Sequence, residues 1–127
     1  MNQVEQDQIK SLIRSIPDFP EAGVVFRDIT TALKDAEGLR IIMDDFVERY
    51  KDKHIDYVLG ADARGFIFGA ALAYAIGAGF VPARKPGKLP AEALGAHVYE
   101  LAFMIELADL GGRDILKEYD VYSQLKY

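Results

Sequence analysis

The stretch GADARGFIFG at residues 60–69 constrains the fold of this chain more than any other. Just before it, Tyr57-Val58-Leu59 reads as the end of a buried strand, and residues 65–76 read as a helix. A strand that turns directly into a helix leaves the first helical N–H groups unbonded, with the positive end of the helix dipole above the turn. Asp62, Ala63 and Arg64 occupy that turn. Ligands of open α/β sheets bind at the carboxyl ends of strands, and helix N-termini favour anions. The same residues also suit an ordinary turn with a solvated Arg64.

The flanking sequence supplies a sheet for this turn. Strands at 57–61 and 79–83, joined by the 65–76 helix, imply a right-handed crossover and a parallel pair. Gly65, Gly69 and the alanines of that helix let it sit close on the sheet, and its nearly all-round apolarity predicts burial. Upstream, Leu39, Ile42, Met43, Phe46, Val47 and Tyr50 repeat with helical spacing, and Asp35 is the expected N-cap. Asp44-Asp45 in this helix reads as a solvated face. Val4, Ile9, Leu12, Ile13 and Ile16 predict a first helix ended by Pro17 and Pro20. Residues 17–31 read as loop with a short β-rich segment at Val24-Val25-Phe26. Two more strands are expected at 102–107 and 120–125, joined by a turn at 109–113, with Met43 and Met104 in the core.

Composition narrows the chemistry. The chain has 127 residues, enough for one domain with its own core, and carries a formal net charge of −5. That balance argues against a general binder of nucleic acid or membrane surfaces. No cysteine is present, which excludes disulfides and thiolate chemistry, and two histidines make a histidine-rich metal site unlikely. The polar first ten residues and the absence of a long apolar run lead to the expectation of a cytoplasmic protein. Any work on phosphate therefore needs local positive charge. Arg84-Lys85-Pro86-Gly87-Lys88-Leu89-Pro90 provides it, placing three cations on a loop stiffened by prolines, directly after the second strand. A solvated basic loop is the alternative reading. The loop follows the strand next to the Asp62–Arg64 turn, which favours a shared diphosphate site.

Taken in order, Ile16-Pro17-Asp18-Phe19-Pro20, then residues 23–30 (GVVFRDIT), GADARGFIFG, the 84–90 loop, residues 105–113 (IELADLGGR) and residues 119–127 resemble the adenine phosphoribosyltransferases. The resemblance implies an α/β, parallel-sheet, type I phosphoribosyltransferase-like (Rossmann-like) domain. Residues 1–35 would form an N-terminal helix and hood over the adenine pocket, and residues 36–127 the core. It also implies transfer of ribose 5-phosphate from phosphoribosyl pyrophosphate to adenine, giving AMP and pyrophosphate, with Mg²⁺ on the diphosphate and ribose oxygens, in a cytoplasmic homodimer. Val25, Phe26 and Arg27 match the family's adenine segment. Asp62, Ala63 and Arg64 match its pyrophosphate turn, where the family has a cis peptide, and Arg84, Lys85 and Lys88 match basic residues presented to pyrophosphate. Tyr99 matches a loop tyrosine. Glu100 is only a weak substitute for the family's loop glutamate, Glu92 lies in the same loop, and His54 and His97 read as surface residues.

One part of the family pattern is absent. After Tyr99-Glu100-Leu101 the chain passes directly to Ala102-Phe103-Met104, where the family carries the rest of a loop, a strand ending in two acidic residues with a Gly-Thr-rich turn, and a helix. A strand–helix unit of roughly 30 residues is thus missing from a parallel sheet. The expected result is a sheet broken between the Tyr57 and Ala102 strands, or closed up at that place, with no seat for the 5-phosphate. Three functional outcomes follow: a transferase by descent with little or no turnover, a non-catalytic purine- or pyrophosphate-binding remnant, or a self-associating interaction module.

Overall fold

Two parallel strand pairs, joined by a long helix rather than by a continuous ladder, form the body of the protein. The structure is a computed structural model that describes residues 1–84 and 95–127. Helix α1 (Gln3–Leu12) leads into β1 (Arg14–Ile16), which pairs antiparallel with β2 (Phe26–Asp28). Two helices follow, α2 (Thr30–Lys34) and α3 (Ala36–Tyr50). Strand β3 (Tyr57–Ala61), helix α4 (Arg64–Ile76) and strand β4 (Gly79–Ala83) then make a parallel β-α-β unit, in register from Tyr57↔Gly79 to Ala61↔Ala83. Strand β5 (Leu101–Glu106) lies parallel to β6 (Val121–Lys126), connected through a 3-10 turn at Ala108–Leu110 and the short α5 (Gly112–Ile115). Among the described residues these are three separate two-stranded sheets, and β3 does not pair with β5. The break in the sheet falls where the sequence placed it.

Local chemistry explains most boundaries. Asn2 and Glu5 form a reciprocal capping box at the start of α1. The Asp35 carboxylate accepts the Gly38 N–H at 2.7 Å and starts α3. A Cβ on Gly38 would stand 2.7 Å from the Ala32 carbonyl oxygen, so only glycine lets α2 and α3 meet this closely. Helix α4 stops at Gly77, which is left-handed at φ +75° and donates to the Ala73 carbonyl.

Ile9, Ile13, Ile42, Phe46, Leu72, Met104 and Leu125 share one buried cluster, drawn from both ends of the chain. Phe46 of α3 is central to it. Its ring meets Phe68 of α4 edge-on at 6.2 Å and Tyr122 of β6 at 6.5 Å. One side chain thereby spans both parallel pairs, and aromatic edge contacts of this kind add to the burial energy.

Several expectations are corrected. Ile16 belongs to β1 and not to the first helix, because residues 14–16 pair with β2 and the chain turns extended at Ile13. Val4, assigned to the packed face of that helix, is exposed. Strand β2 begins at Phe26, after Val24 and Val25, and α2 begins inside the expected loop. Helix α4 is not buried all round: Tyr74 is 91% exposed and Ile67 50%, because only one side of the helix is covered. Asp45 is not solvated either. It accepts the Tyr122 hydroxyl at 2.6 Å and the Gln124 amide at 3.0 Å, and pairs with the Met1 amine. Helical periodicity cannot show such partners, which arrive from β6 some eighty residues away.

Phe46→Ala should cost about 3–5 kcal/mol in a urea titration, as expected for a truncated buried aromatic. Tyr74→Ala should change stability by less than about 0.5 kcal/mol. Equal losses from the two would contradict the bridging role of Phe46.

Candidate functional site

The carboxyl ends of β3 and β4 lie side by side, tied by the Asp62 N–H, which donates to the Ala83 carbonyl at 2.9 Å. Asp62, Ala63 and Arg64 leave one strand at this level, and Arg84 leaves the other. The Asp62–Ala63 peptide is cis. Ala63 caps α4 without any side-chain hydrogen bond, so no side chain competes with an incoming anion for the first helical N–H groups.

Glycine makes this geometry possible. A Cβ on Gly60 would lie 2.6 Å from the Gly65 carbonyl oxygen and 2.8 Å from Phe80 Cε1, and one on Gly69 would lie 2.7 Å from Phe80. Helix α4 therefore sits directly on the backbone of β3, and Phe80 fills the space the glycines leave. Phe66, in the first turn of α4, meets Phe80 edge-on at 6.2 Å, and the Arg84 guanidinium stands 5.5 Å from the Phe66 ring. An aromatic face thus steadies Arg84.

The N-terminal hairpin brings Phe26 to the same place. The Arg64 guanidinium lies 5.5 Å from the Phe26 ring, which also meets Phe19 edge-on at 5.3 Å. Phe19 is placed by a closed loop: its N–H donates to the Val24 carbonyl at 3.1 Å, and Gly23 N–H donates to the Asp18 carboxylate at 2.9 Å. Val25 is about half exposed beside this shelf. Arg27 takes a different direction from its neighbour. Its guanidinium bonds Ser15 and stacks 4.2 Å from the Tyr127 ring, which separates it from the Phe26–Arg64 contact.

Asp28 fixes the hairpin to the body. Its carboxylate accepts the Thr30 N–H at 2.9 Å and the Thr30 hydroxyl at 2.7 Å, and it pairs with Arg14. The Thr30 hydroxyl, then Arg14, hold the Asp28 carboxyl at about 2 against an ordinary 3.8.

Glu100 stands elsewhere. Its carboxylate is taken by Arg49 at 2.7 Å through two nitrogens and by the Tyr50 hydroxyl at 2.6 Å, all at the C-terminal end of α3. The Arg49 hydrogen bonds lower its pKa, and burial followed by the Glu100 hydrogen bond raises that of Tyr50. These contacts make Glu100 a bracket between α3 and the start of β5. Tyr99, His97 and His54 are exposed. Lys85, Lys88 and Glu92 lie outside the described residues. Sequence reading missed Phe19 and Tyr127 as supports of the site. The FP dipeptide hinted at the first, and nothing local signals the second.

No family model matches the sequence. The adenine phosphoribosyltransferase of Acaryochloris marina is 62% identical over 95 residues, 75% of this chain, and the chain spans only 55% of that relative's length. The adenine phosphoribosyltransferase of Clostridium botulinum (strain Eklund 17B) is 40% identical over 168 positions that take in 94% of this chain and 98% of the relative. With 127 residues here, a stretch of the clostridial protein has no counterpart. The crystal structure of adenine phosphoribosyltransferase from Thermoanaerobacter pseudethanolicus superposes with a TM-score of 0.87 at 34% identity, over 95% of this chain and 99% of that one. The fold, with its anion turn at parallel strand ends, is that of the type I phosphoribosyltransferases. Within that class, the chain belongs to the adenine phosphoribosyltransferase family, a family of pentosyltransferases.

Gly60→Ala should force α4 off β3 and cost about 1–3 kcal/mol, read as a lower thermal midpoint. Asp28, with its lowered folded pKa, contributes stability that is complete above 3.8 and is lost as the pH falls toward 2. Asp28→Asn should flatten the fall of stability in that window. Part of the slope should remain, because Glu106, lowered to about 2 by Arg113 and then Ser123, titrates there too.

Proposed function

We propose that this chain retains the base and pyrophosphate halves of an adenine phosphoribosyltransferase site and lacks its ribose-phosphate seat. The observation that carries this reading is the Arg64–Phe26 contact, which sets the base segment against the anion turn. Val25, Phe26 and Arg27 would hold adenine by backbone groups and an apolar wall. Asp62, Ala63 and Arg64, with Arg84, Lys85 and Lys88, would hold the diphosphate of phosphoribosyl pyrophosphate. In the full reaction the ribose C1–pyrophosphate bond breaks, a bond from adenine N9 to C1 forms, the N9 proton leaves, and AMP and pyrophosphate result. The protein's task is to stabilise charge on the departing diphosphate, which preorganised cations and helix N–H groups do well.

Mg²⁺ enters as part of the substrate. In this reading, which follows the family resemblance, it is carried on the diphosphate and ribose oxygens. Positioning two substrates is worth up to about 7–11 kcal/mol, and the broken sheet forfeits much of it. A base- or pyrophosphate-binding remnant is therefore the second reading, favoured by the separation of β3 from β5. A cytoplasmic homodimer of single-domain subunits accompanies both. Among the described residues no helix is long and apolar enough to cross a membrane, and the exposed Ile67 and Tyr74 of α4 supply an apolar patch for self-association.

The test is AMP formation from adenine, phosphoribosyl pyrophosphate and Mg²⁺ by protein whose intact mass is 14.1 kDa, beside the clostridial relative. The expected rate is lower by roughly a thousand-fold or more. Adenine and pyrophosphate should each raise the thermal midpoint, and Arg64→Ala should remove the pyrophosphate effect alone. A rate equal to the relative's would refute the loss of the ribose-phosphate seat.

A further inference from the structure

We infer that the unpaired edges of β3 and β5 form a docking site for a strand followed by a helix, supplied by a second polypeptide. This rests on the family reading above, because the family pattern carries a strand and a helix at the jump after Leu101. Among the described residues β3 pairs only with β4 and β5 only with β6, so each keeps one unpaired edge of N–H and C=O groups. Such edges are templates for another strand.

Side-chain burial adds a second, independent observation. Gly60 packs against Gly65, so the Val58 and Gly60 side of β3 faces α4. Tyr57 and Leu59 alternate to the opposite side, where they are 65% and 41% exposed. On β5, Met104 enters the core while its neighbour Phe103 is 40% exposed. Three large apolar side chains on these two strands are thus exposed, as they would be if a helix were missing from that layer. On the covered side, Phe46 touches both α4 and β6, so α3 holds the two strand pairs together without a ladder between them.

The relatives decide the occupant. The clostridial alignment runs over 168 positions against a chain of 127 residues, and the 95-residue match to the cyanobacterial relative fits the stretch before Leu101. In the family pattern described above the unmatched stretch falls at the jump after Leu101, at the start of β5, and consists of a strand followed by a helix. A second copy of this chain offers, among its described residues, no strand with both edges free, and so none that could pair with β3 and β5 at once. The partner is therefore a strand apolar on both faces, followed by an amphipathic helix whose apolar face covers Tyr57, Leu59 and Phe103.

The probe is a synthetic peptide spanning the clostridial residues that have no counterpart here, with one tryptophan added at its start. The chain has no tryptophan, so emission reports the peptide alone. Expected are saturable one-to-one binding and slowed amide exchange in β3 and β5 but not in β1. A scrambled peptide should not bind. Leu59→Lys and Phe103→Lys, at exposed positions that leave the thermal midpoint unchanged, should each weaken binding by roughly tenfold. Absence of saturable binding, or binding with unchanged exchange in β3 and β5, would overturn the inference. So would protection of both strands in the chain alone as its concentration rises, because a second copy would then be the occupant. AMP formation by the mixture is read separately: docking without AMP supports the docking site and counts against the activity reading.

Discussion

Phe46 is the contact on which the rest of the structure depends. Hydrogen bonds hold β3 to β4 and β5 to β6, but between the two pairs the described structure relies on side-chain packing across α3. The Phe46 ring reaches Phe68 on one side and Tyr122 on the other, and Ile42 and Leu72 complete the seam. Apolar packing is non-directional, so it can keep two half-sheets together where a ladder, which needs strand against strand, cannot. The polar contacts on the same helix sharpen this arrangement. Asp45 collects Tyr122 and Gln124 from β6, and Arg49 with Tyr50 collects Glu100 at the entry to β5.

The anion turn depends on a second close approach. Helix α4 can begin directly above β3 because Gly60 and Gly65 meet backbone to backbone, with Phe80 packed against Gly60 and Gly69. That closeness puts the uncapped start of the helix at the level of Arg84 and points Arg64 toward Phe26. The hairpin carrying Phe26 is held in turn by Asp28 with Arg14 and Thr30, and by the Tyr127 ring against Arg27. The base shelf and the anion turn therefore come from segments far apart in sequence, and each keeps its position through contacts outside the site.

Much of this was legible from residues alone. Strands β3 and β4 stand where their apolar runs place them, α3 follows its repeat from the Asp35 cap, and the 60–69 stretch makes the strand-to-helix turn its glycines require. The jump after Leu101 correctly implied a broken sheet. Illegible were the features that rest on distant partners. Ile16 fits a helical repeat and pairs in a strand, Asp45 fits a solvated face and is half-buried against Tyr122, and the apolar α4 exposes Tyr74. In each case the local pattern is ambiguous and a neighbour remote in sequence decides.

The sequence by itself determined most of the elements, the family and the strand-to-helix turn at residues 60–69, because these follow from periodicity, capping and short motifs that act within a few residues. Only the tertiary structure decided that Arg64 meets Phe26 while Arg27 turns toward Tyr127, that Glu100 serves as a bracket to α3, and that among the described residues β3 and β5 share no ladder. Those outcomes depend on which surfaces meet once the core has formed, and the free energy of that meeting is shared among residues that no local pattern connects.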